Sequence, residues 1–177
     1  MRPGGSKAKG GSFERQVCKD LSLWLTRGRR NDIFWRSAMS GGRATVHQKG
    51  RKGRVRMAHV SGDICAVDPI GASFIDMFYI ECKHYKDLGL MQLLMKSSGR
   101  LANFWLHTKT KAYAVKKLPM LIAKQNGVST FCLLNNEGVG ELEVIVDGPV
   151  FHQLDLAILN FDTMLKEADY ARFNTDL

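Results

Sequence analysis

The sequence predicts a single mixed α/β domain, and three observations predict it. Its 177 residues match the length of one domain. Apolar residues at 45% and aromatics at 9%, beside an ordinary 24% of charged residues, supply a core and exclude a chain disordered throughout. Segments with helical spacing alternate with apolar runs of strand length, and no internal repeat joins them.

The elements follow in order. Residues 1–11, rich in Gly and Lys, are expected to form a flexible basic N-terminus. From Ser12, a suitable N-cap, Phe13, Val17, Leu21 and Trp24 mark one face of a helix that should stop near Gly28. Residues 33–35 form a short β-type run, and residues 43–58 a long basic loop or extended hairpin. Val60 to Val67 and Phe74 to Lys83 are strand candidates separated by a turn containing Pro69 and Gly71, which suggests an antiparallel hairpin. Leu90, Leu93, Leu94, Leu101, Phe104 and Trp105 predict one long helix from Leu88 to His107, weakened in the middle by Ser97, Ser98 and Gly99. Leu118 to Lys124 and Ser129 to Leu134 are further strands, with Leu142 to Val146 a third. A last helix is expected from Asn160 to Arg172, capped by Asn160 with Asp162 in its first turn. Residues 12–134 are then the core, and 135–177 an extension packed on it.

Charge narrows the partner. The net charge of +9 divides into +12 over residues 1–60 and −3 over residues 61–177. A basic end on a near-neutral body suits a polyanion, and nucleic acid before membrane, because no stretch is a basic amphipathic helix with an aromatic face. The plain alternative is a solubilising basic tail. No apolar run approaches the roughly 18–20 residues that cross a bilayer, and the first residues hold no apolar secretory segment, so a cytoplasmic protein without a membrane partner is expected. Cys18, Cys65, Cys82 and Cys132 are scattered without zinc-ligand spacing, which suits a reducing compartment.

The chemistry centres on the end of the Phe74 to Lys83 strand. Alternation puts Glu81 and Lys83 on one face, about 6.6 Å apart along the strand, and Cys82 on the other. Alone this says little, since a chain of this composition carries about one acid-x-Lys pair by chance. Asp63, at the start of the preceding strand, changes the odds: an antiparallel hairpin would set it beside Glu81. Two close carboxylates repel unless a cation lies between them, and a hard oxygen set with room for water is what Mg²⁺ takes. Lys83 beside them can hold a scissile phosphate or help a water beside the metal lose its proton, which points to phosphodiester hydrolysis.

Asp63 and the Ile80-Glu81-Cys82-Lys83 strand, after a helix containing Glu14, resemble the PD-(D/E)xK nuclease superfamily, and within it the archaeal and bacteriophage Holliday-junction resolvases. The resemblance extends to Lys9-Gly10-Gly11-Ser12-Phe13-Glu14-Arg15 opening the first helix, to Arg36-Ser37-Ala38-Met39-Ser40-Gly41 after the first strand, and to the Pro-apolar strand Leu118 to Lys124. It spans about residues 9–134. Gly62 stands where a proline is usual, the insertion 43–58 is longer than in compact members, and residues 135–177 have no counterpart. The resemblance implies a restriction-endonuclease-like core, a central mixed sheet flanked by helices. It implies Glu14, Asp63 and Glu81 as metal-site acids, Lys83 as the catalytic lysine, Mg²⁺ with Mn²⁺ able to substitute, and Arg36, Ser37 and Ser40 as DNA contacts. Arg43, Lys49, Arg51, Lys52, Arg54 and Arg56 would add phosphate contacts. The implied activity is resolution of four-way DNA junctions in recombination by a homodimer, in the host cytoplasm if phage-encoded.

Each residue also has a structural reading. Glu14 can complement a helix dipole, Asp63 can be a turn residue at a strand entry, and Gln92 can be surface polarity rather than a group reaching the site. His59, His84 and His107 lack partners at ligand spacing and read as structural. Two functional alternatives stay open: another nuclease with the same site, of flap, recombination or restriction-like type, and a DNA-binding module without activity.

Overall fold

The Phe13, Val17, Leu21 and Trp24 stripe builds the helix on which the fold rests, and all four side chains are buried in the computed structural model, which describes residues 5–37 and 62–174. This helix, α1, spans Gly5–Leu25 and so starts before the expected Ser12. Lys7, Ala8 and Lys9 favour helix. Gly11 serves close approach rather than termination: a Cβ there would lie 3.1 Å from the Arg36 guanidinium. The helix ends as expected, with Arg27 and Gly28 at positive φ and the Gly28 N–H donating to the Leu23 carbonyl at 2.7 Å.

Strand β1 (Phe34–Arg36) pairs antiparallel with β2 (Ile64–Ala66), Trp35 facing Cys65. The expected hairpin of β2 with the next strand does not form. Asp68 caps a 3₁₀ turn at Pro69–Gly71, and Ala72–Met77 continues as helix α2 where a strand was expected. Phe74, Ile75 and Phe78 lie at spacings that also fit one helix face, and the Phe74 ring is surrounded by Trp24, Phe34, Phe78 and Phe173 at 5.2–5.8 Å. Strand β3 then runs Phe78–Tyr85.

The five-stranded sheet has the order β3-β4-β5-β7-β6, with β4 at Leu118–Gln125, β5 at Phe131–Leu134, β6 at Val150–Phe151 and β7 at Leu156–Asn160. Strands β3 and β4 are parallel and the other pairs antiparallel, so the sheet is mixed. The crossover from β3 to β4 is helical but broken: α3 (Leu90–Lys96) and α4 (Arg100–Ala114) replace the expected single helix, because Ser97 and Gly99 turn to positive φ. Helix α5 (Asn136–Leu142) follows β5, and the expected strand from Leu142 to Val146 is the end of that helix and an irregular segment. Helix α6 (Phe161–Glu167) is capped by Asn160, whose side chain accepts from the Asp162 and Thr163 N–H groups, and it stops before the expected Arg172.

Alternation along the strands separates two cores. Ile80, Cys82, Met120 and Ile122 pack with α1, α2 and α6, whereas Leu121, Ala123 and Leu133 pack with Leu93, Leu101 and Trp105 of α3 and α4. The result is a central mixed sheet flanked by helices, consistent with the restriction-endonuclease-like fold. The chain beyond residue 134 enters the sheet itself, β7 lying between β5 and β6. No helix among the described residues is long and apolar enough to cross a membrane.

Candidate active site

On β3 the side chains of Tyr79, Glu81 and Lys83 alternate with those of the α1 core, so they share the face toward α4. Glu81 is 6% exposed, and each of its oxygens is taken. Its Oε2 accepts from Lys83 Nζ at 2.7 Å, and its Oε1 accepts from the Tyr79 hydroxyl and from Lys111 Nζ, both at 3.0 Å.

Asp63 reaches this face along an unexpected route. Gly62 forms a single parallel bridge with Ile80 at the edge of β3, whereas the sequence suggested antiparallel pairing. Gly62 has φ +96°, and a Cβ there would lie 2.4 Å from the Ile80 carbonyl oxygen, so no other residue fits this approach. The Asp63 N–H donates to the Ile80 carbonyl at 2.8 Å, and Asp63 Oδ2 accepts from the Cys82 N–H at 2.8 Å. Asp63 thereby lies beside Glu81, with Lys83 Nζ 3.9 Å from its Oδ2.

Two further expected residues shape this approach. Ser37 is buried; its hydroxyl donates to the Gly62 carbonyl at 2.7 Å and its N–H to the Asp63 carbonyl at 2.9 Å. Arg36 pairs with Glu14, which ties the Glu14 carboxylate on α1 to β1. The structure thus brings Asp63, Glu81 and Lys83 together, with Glu14 paired to Arg36 and close enough for its charge to act on Asp63. Among the described residues, no three or more His, Cys, Asp and Glu side chains converge as a metal cage. Ser40, Arg43, Lys49, Arg51, Lys52, Arg54, Arg56 and His59 lie outside the described residues. The His84 ring lies 5.5 Å from that of Phe13.

The charges are uneven. Burial, then the neighbouring Glu81 charge, pushes the Asp63 carboxyl up to about 6. Burial acts the same way on Glu81, but Lys83 and Lys111 overcome it and hold that carboxyl down to about 2. Burial would lower Lys83, yet its bond to Glu81 prevails and raises it, so Lys83 is an ammonium at neutral pH. The cluster thus holds one firmly ionised carboxylate, one carboxyl raised by burial, and an ammonium bonded to the first and 3.9 Å from the second.

Sequence reasoning missed Tyr79 and Lys111. Tyr79 was within reach, since it precedes Glu81 by one strand repeat. Lys111 carried no local signal: it comes from the last turn of α4, thirty residues away, and only the packing of that helix brings it to Glu81.

No curated protein and no solved structure matches the chain. A family model described as "Phage putative PDDEXK endonuclease" matches residues 5–169. That match takes in every strand of the sheet and both carboxylates that meet at Lys83, and on it the chain belongs to the phage PDDEXK endonuclease family.

Proposed function

We propose that this protein is a Mg²⁺-dependent DNA endonuclease acting on branched DNA, with a four-way junction as its substrate and a homodimer as its working form. The observation that carries the reading is the meeting of Asp63, Glu81 and Lys83 at the edge of β3. PD-(D/E)xK nucleases generally use divalent metals, and the donor set fits one. Mg²⁺ is commonly held by one or two carboxylates, with water and substrate phosphate at its other positions. Burial, then the neighbouring Glu81 charge, holds the Asp63 carboxyl up at about 6, and a cation between the two carboxylates would relieve their repulsion.

Asp63 and Glu81 would hold the ion, and Mn²⁺ would substitute for it. Bound there, the ion supplies positive charge against the phosphate oxygens and makes water a better nucleophile. Lys83 donates to a nonbridging oxygen of the scissile phosphate and stabilises the charge that grows there. Tyr79 fixes the Glu81 carboxylate, and Ser37 fixes the backbone entering Asp63. Arg36 pairs with Glu14, whose charge also acts on Asp63, so this pair borders the site. The basic residues between 43 and 58 contact phosphates, which position DNA without specifying sequence. Two nicks related by the two-fold axis of a junction call for a C₂ dimer.

The test is cleavage of a synthetic four-way junction and of linear duplex with Mg²⁺, by wild type, Asp63→Asn and Lys83→Ala. The expected result is paired nicks in the junction and losses of at least about 10²-fold in both variants. Variants that cut like wild type refute the site, and equal cleavage of duplex and junction reassigns the substrate to a flap or restriction-like class. Light scattering of the protein alone checks the dimer.

A further inference from the structure

Among the described residues, Lys111 is the one side chain bonded to Glu81 that the nuclease chemistry above does not use. A lysine in the last turn of a helix ordinarily extends into water and complements the helix dipole. Lys111 turns instead to a carboxylate whose side chain is 8% exposed, while staying 42% exposed itself.

Charge and geometry together say what it is for. Glu81 Oε2 belongs to Lys83, and Oε1 is shared by Tyr79 and Lys111. Asp63 and Glu81 are therefore balanced by two lysines with no metal bound, and a divalent cation would leave an excess of two positive charges. Three donors already fill Glu81, and ammonium groups at 2.7 and 3.0 Å repel an arriving cation, so binding one favours release of a lysine. Tyr79 is 7% exposed and, as a neutral donor, does not repel a cation, so it stays. Lys83 is less exposed than Lys111 and is also 3.9 Å from Asp63. Lys111 alone combines a single contact in the cluster with a path to solvent, and the anion that arrives when the metal does is a DNA phosphate.

We infer that Lys111 is a second substrate-binding lysine of this site: it neutralises Glu81 in the metal-free protein and passes to a nonbridging phosphate oxygen of DNA once Glu81 serves the cation. The inference rests on the nuclease reading and gives that site an exchange of partners. Because Lys111 competes with the metal for Glu81, its removal has effects of opposite sign on the two ligands.

The experiment compares wild type, Lys111→Ala, Lys111→Gln and Lys111→Arg. Mn²⁺ binding without DNA is measured by titration calorimetry, and junction nicking is resolved into KM and kcat. Lys166→Ala, an exposed lysine on α6, controls for loss of one charge. In Lys111→Ala and Lys111→Gln, Mn²⁺ affinity rises severalfold, to about tenfold, while KM for DNA rises about tenfold beyond the Lys166→Ala control. Lys111→Arg restores KM to within about threefold of wild type. A KM matching that control, or a Mn²⁺ affinity unchanged or weakened, overturns the inference while leaving the nuclease reading intact. Wild type that neither binds Mn²⁺ nor nicks DNA refutes both.

Discussion

Asp63 sets the pH response of the site. Its carboxyl lies at about 6 in the fold against an ordinary value of 3.8, so the folded protein holds this proton more tightly than the unfolded chain does. The stabilisation from this group is complete below about pH 3.8 and is lost as pH rises through about 6. Glu81 works in the opposite direction: its contribution is present above 4.5 and is lost as pH falls through about 2. In chelator, Asp63→Asn should therefore match wild type near pH 4 and exceed it by about 1–3 kcal/mol at pH 7, measured by urea unfolding. Proton and metal also compete for Asp63, so wild-type Mn²⁺ affinity should fall with decreasing pH below about 6, approaching tenfold per unit, in calorimetric titrations. Glu81 and Lys83 were legible as functional candidates because strand alternation puts them on one face whatever the strand pairs with. Glu14 was legible as an acid near the site but not as the partner of Arg36, since that pairing joins α1 to β1 across residues far apart in sequence.

Among elements, the edge of β3 assembles the proposed site. Gly62 is where the chain passes against Ile80, with space for no Cβ. Gly62→Ala should cost about 2 kcal/mol or more and reduce nicking at least about 10²-fold even where the variant is folded, checked by melting and by junction cleavage side by side. The sequence placed Asp63 beside Glu81 on the assumption of a hairpin, and the adjacency holds although the hairpin does not. The reason is α2. Phe74, Ile75 and Phe78 are apolar at spacings that strand and helix both accept, and the choice falls to the rings of Trp24, Phe34 and Phe173, which meet Phe74 only when residues 72–77 are helical. The break between α3 and α4 was signalled by Ser97, Ser98 and Gly99, but its sharpness depends on backbone conformations the pattern does not encode.

For the whole molecule, the last quarter of the chain shares its sheet and both cores with the site. Leu156, Ala157 and Leu159 of β7 are buried on the two faces of the sheet, and Phe161, Met164 and Phe173 close the core under α1. A chain ending at residue 134 should show no cooperative thermal transition by circular dichroism, because β5 would lose its outer partner and both cores a wall. The second molecular property is electrostatic. Six Lys and Arg side chains between residues 43 and 58, each neutralising one phosphate, predict a slope of roughly −5 for log binding constant against log salt on duplex arms, measured by fluorescence anisotropy. Removing those six charges should flatten the slope without changing Mn²⁺ affinity.

Local pattern was enough for the mixed α/β class, the helical face of α1, the apolar strands β3, β4 and β5, the Asn160 cap and the placing of Glu81 and Lys83 on one face. These follow from periods of 3.6 and 2 and from side-chain chemistry that acts over a few residues. Packing was needed to show that Asp63 arrives through a parallel bridge, that Arg36 pairs with Glu14, that β7 enters the sheet between β5 and β6 and that Lys111 reaches Glu81. Each is a contact between segments distant along the chain, and its energy comes from burial and charge pairing that exist only once the helices are packed on the sheet.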